Sequence, residues 1–368
     1  MKKKLSLILC LLLLFTTVLA GCGSKDTPSS DNSGSDKAPL KVVCLLNGNL
    51  GDKSFFDSAN KGMEMIKDQL GVETKVVEMG FDNTAWESTL YEFADSDYDV
   101  IIVGTYQMQE LLAKVAPEYP DKKFIIFDSE VDADNVYSIT FKQNEASYLA
   151  GALAAMMAAD SNLTNGQGKI GIVEAMDIPV LNDFMVGYIQ GATDTVPGTK
   201  VAVSQIGDFA DTARAKELAT AQYHSGVSVC MHAAAQAGLG VIDAAKTMKT
   251  WAIGVDADQA MALASDDPAA SGQIVTSVLK NIDQVLLRAI QKHIDGTLPY
   301  GTTESLGIKD KAVGIADNDV YQKIAAPDMI AKVKELQSKI ESGDIKVKSA
   351  FDMSTDEIAA YKASVEPK

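Results

Sequence analysis

Short apolar, β-branched runs alternate with amphipathic stretches along most of this chain, the arrangement expected of parallel strands covered on both faces by helices. The runs predict strands at Lys41–Leu46, Thr74–Glu78, Asp99–Val103, Lys123–Phe127, Val136–Phe141, Lys169–Glu174, Lys200–Gln205, Val227–Met231, Thr250–Val255 and Ile274–Ser277. Ten strands are too many for one small sheet, and the 329 residues from Leu40 to Lys368 are more than one core usually serves. The pattern therefore predicts an α/β protein of two doubly wound parallel-sheet lobes, with the chain crossing between them more than once.

Ligands of such sheets bind beyond the carboxyl ends of the strands. The polar residues found there are Asn47, Tyr106 and Gln107, Asp128, Glu174, His232 and Asp256. Singly, each is better explained as a cap or turn residue; converging from two lobes, they predict a polar-walled cleft. In Asp52-Lys53-Ser54-Phe55-Phe56-Asp57, Ser54 and Asp57 have capping-box spacing and set a helix start at Phe55. Along that helix Phe56, Ala59, Met63, Ile66 and Leu70 form a buried stripe, and Phe55 lies about 100° off it, toward the strand ends.

The N-terminus has a different pattern. Lys2, Lys3 and Lys4 precede an apolar run from Leu5 to Ala20 that is short for a membrane span and ends in small residues, as an export signal does. Leu19-Ala20-Gly21-Cys22 resembles the lipobox of bacterial lipoproteins, which implies cleavage before Cys22 and lipidation of its thiol. From Gly23 to Pro39 serines and charges prevail with no large apolar side chain, so this segment is expected to be a disordered tether, holding the body on the order of 23 Å from the bilayer. Residues 1–21 are thus a signal peptide and 22–39 a lipidated tether. The lobes are expected at 40–142 plus 256–298 and at 143–255 plus 299–368.

Charge narrows the partners. The chain carries a formal −17, and without the three leader lysines 30 basic residues face 50 acidic ones. Such a surface repels phosphate backbones, so no nucleic-acid partner is expected. Cys44 and Cys230 each lie in an apolar strand-like run, which suits core packing better than a disulfide or metal site.

Catalytic and cofactor motifs fail on context. Gly166-Gln167-Gly168-Lys169-Ile170-Gly171 fits the dinucleotide spacing, but a strand follows it where a helix is required. His224, His232 and His293 lack metal-ligand spacing, and the pairs Asp208 with Asp211 and Asp256 with Asp258 are explained as loop and cap residues. A binding protein without cofactor or metal is expected, rather than an enzyme.

Asp52-Lys53-Ser54-Phe55, Phe127-Asp128-Ser129, Tyr148-Leu149-Ala150-Gly151, Gly238-Leu239-Gly240-Val241, Ala252 to Gln259 and Thr276 to Asn281 occur in order. Together they resemble the basic membrane protein family of lipoproteins, the substrate-binding subunits of ABC importers that include purine nucleoside receptors. The resemblance implies a type I periplasmic-binding fold with three crossovers and a ligand between the lobes. It implies Phe55 and Phe209 on the two faces of a nucleobase, Asn47 and Asp128 at the base edge, and Asp256 and Lys280 at the ribose, with Lys280 paired to Asp256 and balancing its charge. Opposed aromatics suit a flat heterocycle, and a carboxylate can accept from both hydroxyls of a diol. Asp52, Tyr106, Gln107, Glu174 and His232 are further ligand-binding candidates.

The chain departs from the nucleoside receptors at Leu46, where an aspartate is typical, at Phe56, where asparagine is usual, and at Ala233-Ala234-Ala235-Gln236-Ala237, before Gly238. The expectation is a monomeric receptor, lipid-anchored outside the bacterial cell membrane through Cys22, that delivers a nucleoside to an ABC permease and its ATPase. A tethered sensor without transport, a receptor for another small polar ligand, and a nucleoside hydrolase using Asp256 or His232 are the alternatives.

Overall fold

The computed structural model describes residues 39–367, so the leader, Cys22 and the tether up to Ala38 lie outside the described residues. The chain runs through β1 (Lys41–Leu46), β2 (Glu73–Glu78), β3 (Val100–Gly104), β4 (Lys123–Phe127) and β5 (Val136–Phe141). It continues through β6 (Lys169–Glu174), β7 (Lys200–Gln205), β8 (Val229–Ala233), β9 (Trp251–Asp256) and β10 (Ile274–Lys280), and closes with β11 (Thr302–Leu306) and β12 (Val313–Ile315). Helices separate most of the strands.

Two six-stranded sheets result, ordered β2-β1-β3-β4-β5-β11 and β7-β6-β8-β9-β10-β12. Among the pairings of the described strands, β12 against β10 is antiparallel and the rest are parallel. The uninterrupted apolar run of β1 follows from its central place: Val42, Cys44 and Leu46 enter the core on one face, Val43 and Leu45 that on the other. Edge strand β2 instead alternates exposed and half-buried residues. Both remaining cysteines are free and buried, Cys44 in β1 and Cys230 in β8, and burial pushes the Cys44 thiol up to about 12.

Five predicted strands match to the residue, and five are displaced or extended by one to three residues. β11 and β12 lie outside the prediction because one is a polar edge strand, Thr-Thr-Glu-Ser-Leu, and the other has three residues. Extension of β10 to Lys280 corrects the lobe boundaries. The stretch 256–298, expected in the first lobe, divides: up to Lys280 it pairs in the second sheet beside β9. Only the helix Ile282–Ile294 returns, packing on Phe55–Leu70, where Gly62 meets the Asp283 backbone and Lys61 pairs with Asp283 at 2.7 Å. β11 then completes the first sheet and β12 the second, so residues after 306 do not form one block with 299–306. The chain crosses after β5, after β10 and between β11 and β12, the three crossovers expected of the fold.

The Tyr148-Leu149-Ala150-Gly151 motif has a packing explanation. It lies in the buried helix Gln143–Ala159, which crosses the helix Pro179–Thr195 at backbone contact: a Cβ on Gly151 would lie 2.0 Å from the Tyr188 carbonyl oxygen, and one on Gly187 2.2 Å from that of Asn144.

Candidate functional site

Each sheet reverses its strand order once, between β1 and β3 in the first lobe and between β6 and β8 in the second. Such switch points open a crevice at the strand ends. One cavity of about 60 Å³ lies there, and Asn47, Phe55, Asp128, Phe209, Asp256 and Lys280 all line it, as do Tyr106 and Gln107. Past Tyr106 and Asp128 lies a second, wider cavity of about 1020 Å³ that shares these residues.

The backbone at the strand ends is held in an uncommon conformation. Thr105, Asp128, Ala235 and Asp256, all in the cavity wall, have φ of 71°, 62°, 44° and 62°. Left-handed φ at non-glycine residues is unfavourable and persists where the surroundings impose it, most often at functional sites. Here it turns side chains at or just past the ends of β3, β4, β8 and β9 into the space between the lobes.

The charges in the cavity join the two lobes. Lys280, the last residue of β10, pairs with Asp128 at 2.7 Å, with side chains 2% and 11% exposed. Its Nζ also lies over the rings of Phe184, Phe141 and Phe55 at 5.0, 5.4 and 5.8 Å, where loss of water strengthens a cation–π contact. The expected pairing of Lys280 with Asp256 is corrected: the direct partner is Asp128, because the β4 end faces β10 across the cleft. Asp256 accepts instead from Ser54 Oγ at 2.7 Å. Burial pushes the Asp256 carboxyl up to about 6, opposed by the Lys280 charge and the Ser54 hydrogen bond.

Ser54 also corrects the capping box. Its hydroxyl spans the lobes to Asp256 and the Val255 carbonyl. Asp57 accepts from the Gly51 and Lys53 N–H groups, while Asp52 accepts from those of Ser54, Phe56 and Asp57 at 3.0, 2.9 and 3.1 Å. Asp52, a ligand candidate, is thus a buried cap outside the cavity wall, and burial raises its carboxyl. The cap fixes Phe55, whose ring stacks on Phe127 at 5.4 Å and meets Phe56 edge-on at 5.3 Å.

Glu174 and His232 also lie outside the wall of this cavity. Glu174 is fully buried, neither carboxylate oxygen has a partner among the described residues, and burial pushes it up to about 8. His232 contacts Gln259 Oε1 through Nε2 at 2.8 Å, with burial pushing it down to about 4. A Cβ on Gly238 would lie 2.0 Å from its ring, so the histidine packs behind the Ala233–Ala235 wall. The other motif acids act as read: Asp208 accepts from loop N–H groups, and Asp211 and Asp258 cap helices.

Thr105, Phe81, Phe184, and Ile178, Val180 and Leu181 at the start of the helix Pro179–Thr195, also line it without having been singled out. Phe56, placed in the core stripe by its spacing, is 5% exposed yet also reaches the cavity. Among the described residues no three His, Cys, Asp or Glu side chains are grouped to hold a metal ion, and no helix is long and apolar enough to cross a membrane.

Residues 40–349 match the model of a family described as ABC transporter substrate-binding protein, PnrA-like. The chain belongs to this Bmp family. A Bmp-family relative, the ABC transporter nucleoside-binding protein BmpA of Lactococcus lactis, is 31% identical over 91% of this chain and 96% of its own. An uncharacterized lipoprotein of Pyrococcus abyssi is 30% identical over 94% and 93%. The crystal structure of an ABC transporter solute-binding protein from Aeropyrum pernix K1 superposes with a TM-score of 0.76 at 27% identity, covering 90% of this chain and all of that one. The Bmp family comprises substrate-binding proteins of ABC transporters rather than enzymes, and the two-sheet architecture is that of the type I periplasmic-binding fold.

Proposed function

We propose that this Bmp-family protein is a monomeric, membrane-tethered receptor that clamps a nucleoside between its lobes and hands it to an ABC permease with a separate ATPase. The observation that carries this reading is the single cavity in which two phenylalanines from opposite lobes, Phe55 and Phe209, meet an amide, two carboxylates and a buried ammonium. The aromatic pair stacks the base, Asn47 and Asp128 meet its edge, and Asp256 with Lys280 receives the ribose. At about 60 Å³ the cavity is well below the roughly 300–1,000 Å³ of a small-molecule site. A nucleoside therefore enters with the lobes parted, and Lys280–Asp128 and Ser54–Asp256 are the contacts that reseat around it.

Mass spectrometry of the ligand released from purified, denatured protein tests the class directly. A nucleoside is expected; a sugar, amino acid or peptide in stoichiometric amount overturns it. Incubation with nucleosides is expected to yield no base or ribose, since His232 lies behind the cavity wall and Asp256 is engaged by the Ser54 hydroxyl. Anchoring is tested separately: Cys22→Ala should release soluble or uncleaved protein, and lipid labelling that survives the substitution excludes Cys22 as the anchor.

A further inference from the structure

Asn47 is oriented at one end and unsatisfied at the other. Its Nδ2 donates to Thr105 Oγ1 at 2.7 Å and to Gln107 Oε1 at 3.1 Å. A side-chain amide nitrogen has two hydrogens, so both are spent inside the first lobe. Asn47 Oδ1 has no partner among the described residues, although Asn47 is 1% exposed and lines the cavity. With Gln107 Oε1 as its neighbour, turning the amide over would set its oxygen about 3 Å from a second acceptor, while Thr105 Oγ1 would lose the N–H it accepts. The hydroxyl that holds it comes from Thr105, the β-branched residue at φ 71° where β1 and β3 diverge.

On the Phe56 and Phe81 side of this amide the wall is apolar. Phe56 packs so closely against the chain after Asn47 that a Cβ on Gly48 would lie 2.1 Å from its ring, and Phe81 meets Phe56 edge-on at 6.1 Å. A bare ring nitrogen turned toward Asn47 Oδ1 meets another acceptor there. A buried acceptor that gains no donor is left with its full desolvation penalty.

We infer that Thr105 and Gln107 are positioning residues that hold Asn47 as a hydrogen-bond acceptor toward the ligand. The site thereby selects a nucleobase presenting an N–H donor at that edge, an amino or imino group, over one presenting only a ring acceptor. The inference rests on the nucleoside reading above and adds the polarity of the base edge and the two residues that set it.

Calorimetry on the full chain can compare adenosine and inosine with purine riboside, which lacks any group at the six position, and cytidine and uridine with 2-pyrimidinone riboside. In whichever series binds, a donor-bearing nucleoside should be favoured roughly tenfold or more. The near-isosteric pair Thr105→Val with Gln107→Leu frees the amide to turn, and the preference should fall to about threefold or less; Thr105→Ser, which keeps the hydroxyl, should retain it. If Thr105 and Gln107 were merely structural, the variant would weaken all ligands equally and leave the ratio intact, which overturns their role. Equal binding of donor-bearing and bare bases by the unmodified protein overturns the acceptor assignment without any variant. Absence of binding in both series would remove the nucleoside reading itself.

Discussion

The two lobes repeat one strand order, β2-β1-β3-β4-β5-β11 answering to β7-β6-β8-β9-β10-β12, and the repeat reaches the site. Asp128 directly follows β4 and Asp256 ends its counterpart β9, both at φ 62°. Thr105 follows β3 at φ 71° and Ala235 follows β8 at φ 44°. The same backbone device thus presents two carboxylates from opposite lobes, but each is engaged differently by the other lobe: Asp128 by the Lys280 ammonium, Asp256 by the Ser54 hydroxyl. Shared geometry sets where groups point, and the facing lobe sets what they do.

Removing the buried cation of the cavity wall, Lys280, should have the largest effect. Lys280→Met leaves Asp128 without its ion-pair partner and Asp256 without the charge that opposes its burial, and should destabilise the fold by about 3–5 kcal/mol in denaturant unfolding near pH 7. Ser54→Ala, which removes one hydrogen bond to Asp256, should cost about 1–3 kcal/mol. Equal losses would mean that the two carboxylates are held alike.

Asp256 provides a pH test. Its folded carboxyl is pushed up to about 6 from an ordinary 3.8, so its contribution is fully present below the unfolded value and lost as pH rises through the folded one. Between pH 4 and 6 the stability of the protein should therefore fall relative to Asp256→Asn, by about 2–3 kcal/mol in all, and the difference should be flat above. A flat difference across that window removes the claim that burial dominates this carboxyl.

The ribose end of the proposed site predicts selectivity. A free base forgoes the ribose hydroxyls that would bond Asp256 and Lys280, which then keep only Ser54 and Asp128 as partners, and a 5′-monophosphate brings negative charge toward Asp128 and Asp256. Each should bind about 2 kcal/mol more weakly than the nucleoside, roughly thirtyfold; a monophosphate that binds as tightly refutes the ribose assignment. The two aromatics should separate by a smaller margin. Phe209→Ala should lose about 1–3 kcal/mol of binding with little change in melting temperature. Phe55→Ala should lose stability as well, because Phe55 packs on Phe127 and Phe56.

Much of this site was legible because a doubly wound sheet ties function to the residues just past its strands. Asn47, Tyr106, Gln107 and Asp128 could be picked by position alone, and Phe55 by its angle from the core stripe. Phe209 and Lys280 came from family resemblance, since neither periodicity nor spacing sets a loop aromatic or a strand-end lysine apart. What remained hidden depends on the opposite lobe: the partner of Lys280, the reach of Ser54 to Asp256, and the approach of Phe184 from a buried helix. Asp52 and Ser54 exchanged expected roles because local spacing cannot tell which of two nearby oxygens finds the helix N–H groups first. β11 was hidden for a related reason, being recognisable only by its neighbour β5.

That last strand governs how the molecule is assembled. Thr302 pairs with Tyr137, a partner 165 residues earlier, with all the parallel strands of the second sheet lying between them in sequence. The first lobe cannot close its edge until the chain of the second has been made, and the second gains β12 only after that return. Neither lobe is thus a self-sufficient folding unit, and closing so long a loop places late, slow steps in the folding of both. A chain ended near residue 300 would leave β5 as an open edge, available to pair with another molecule.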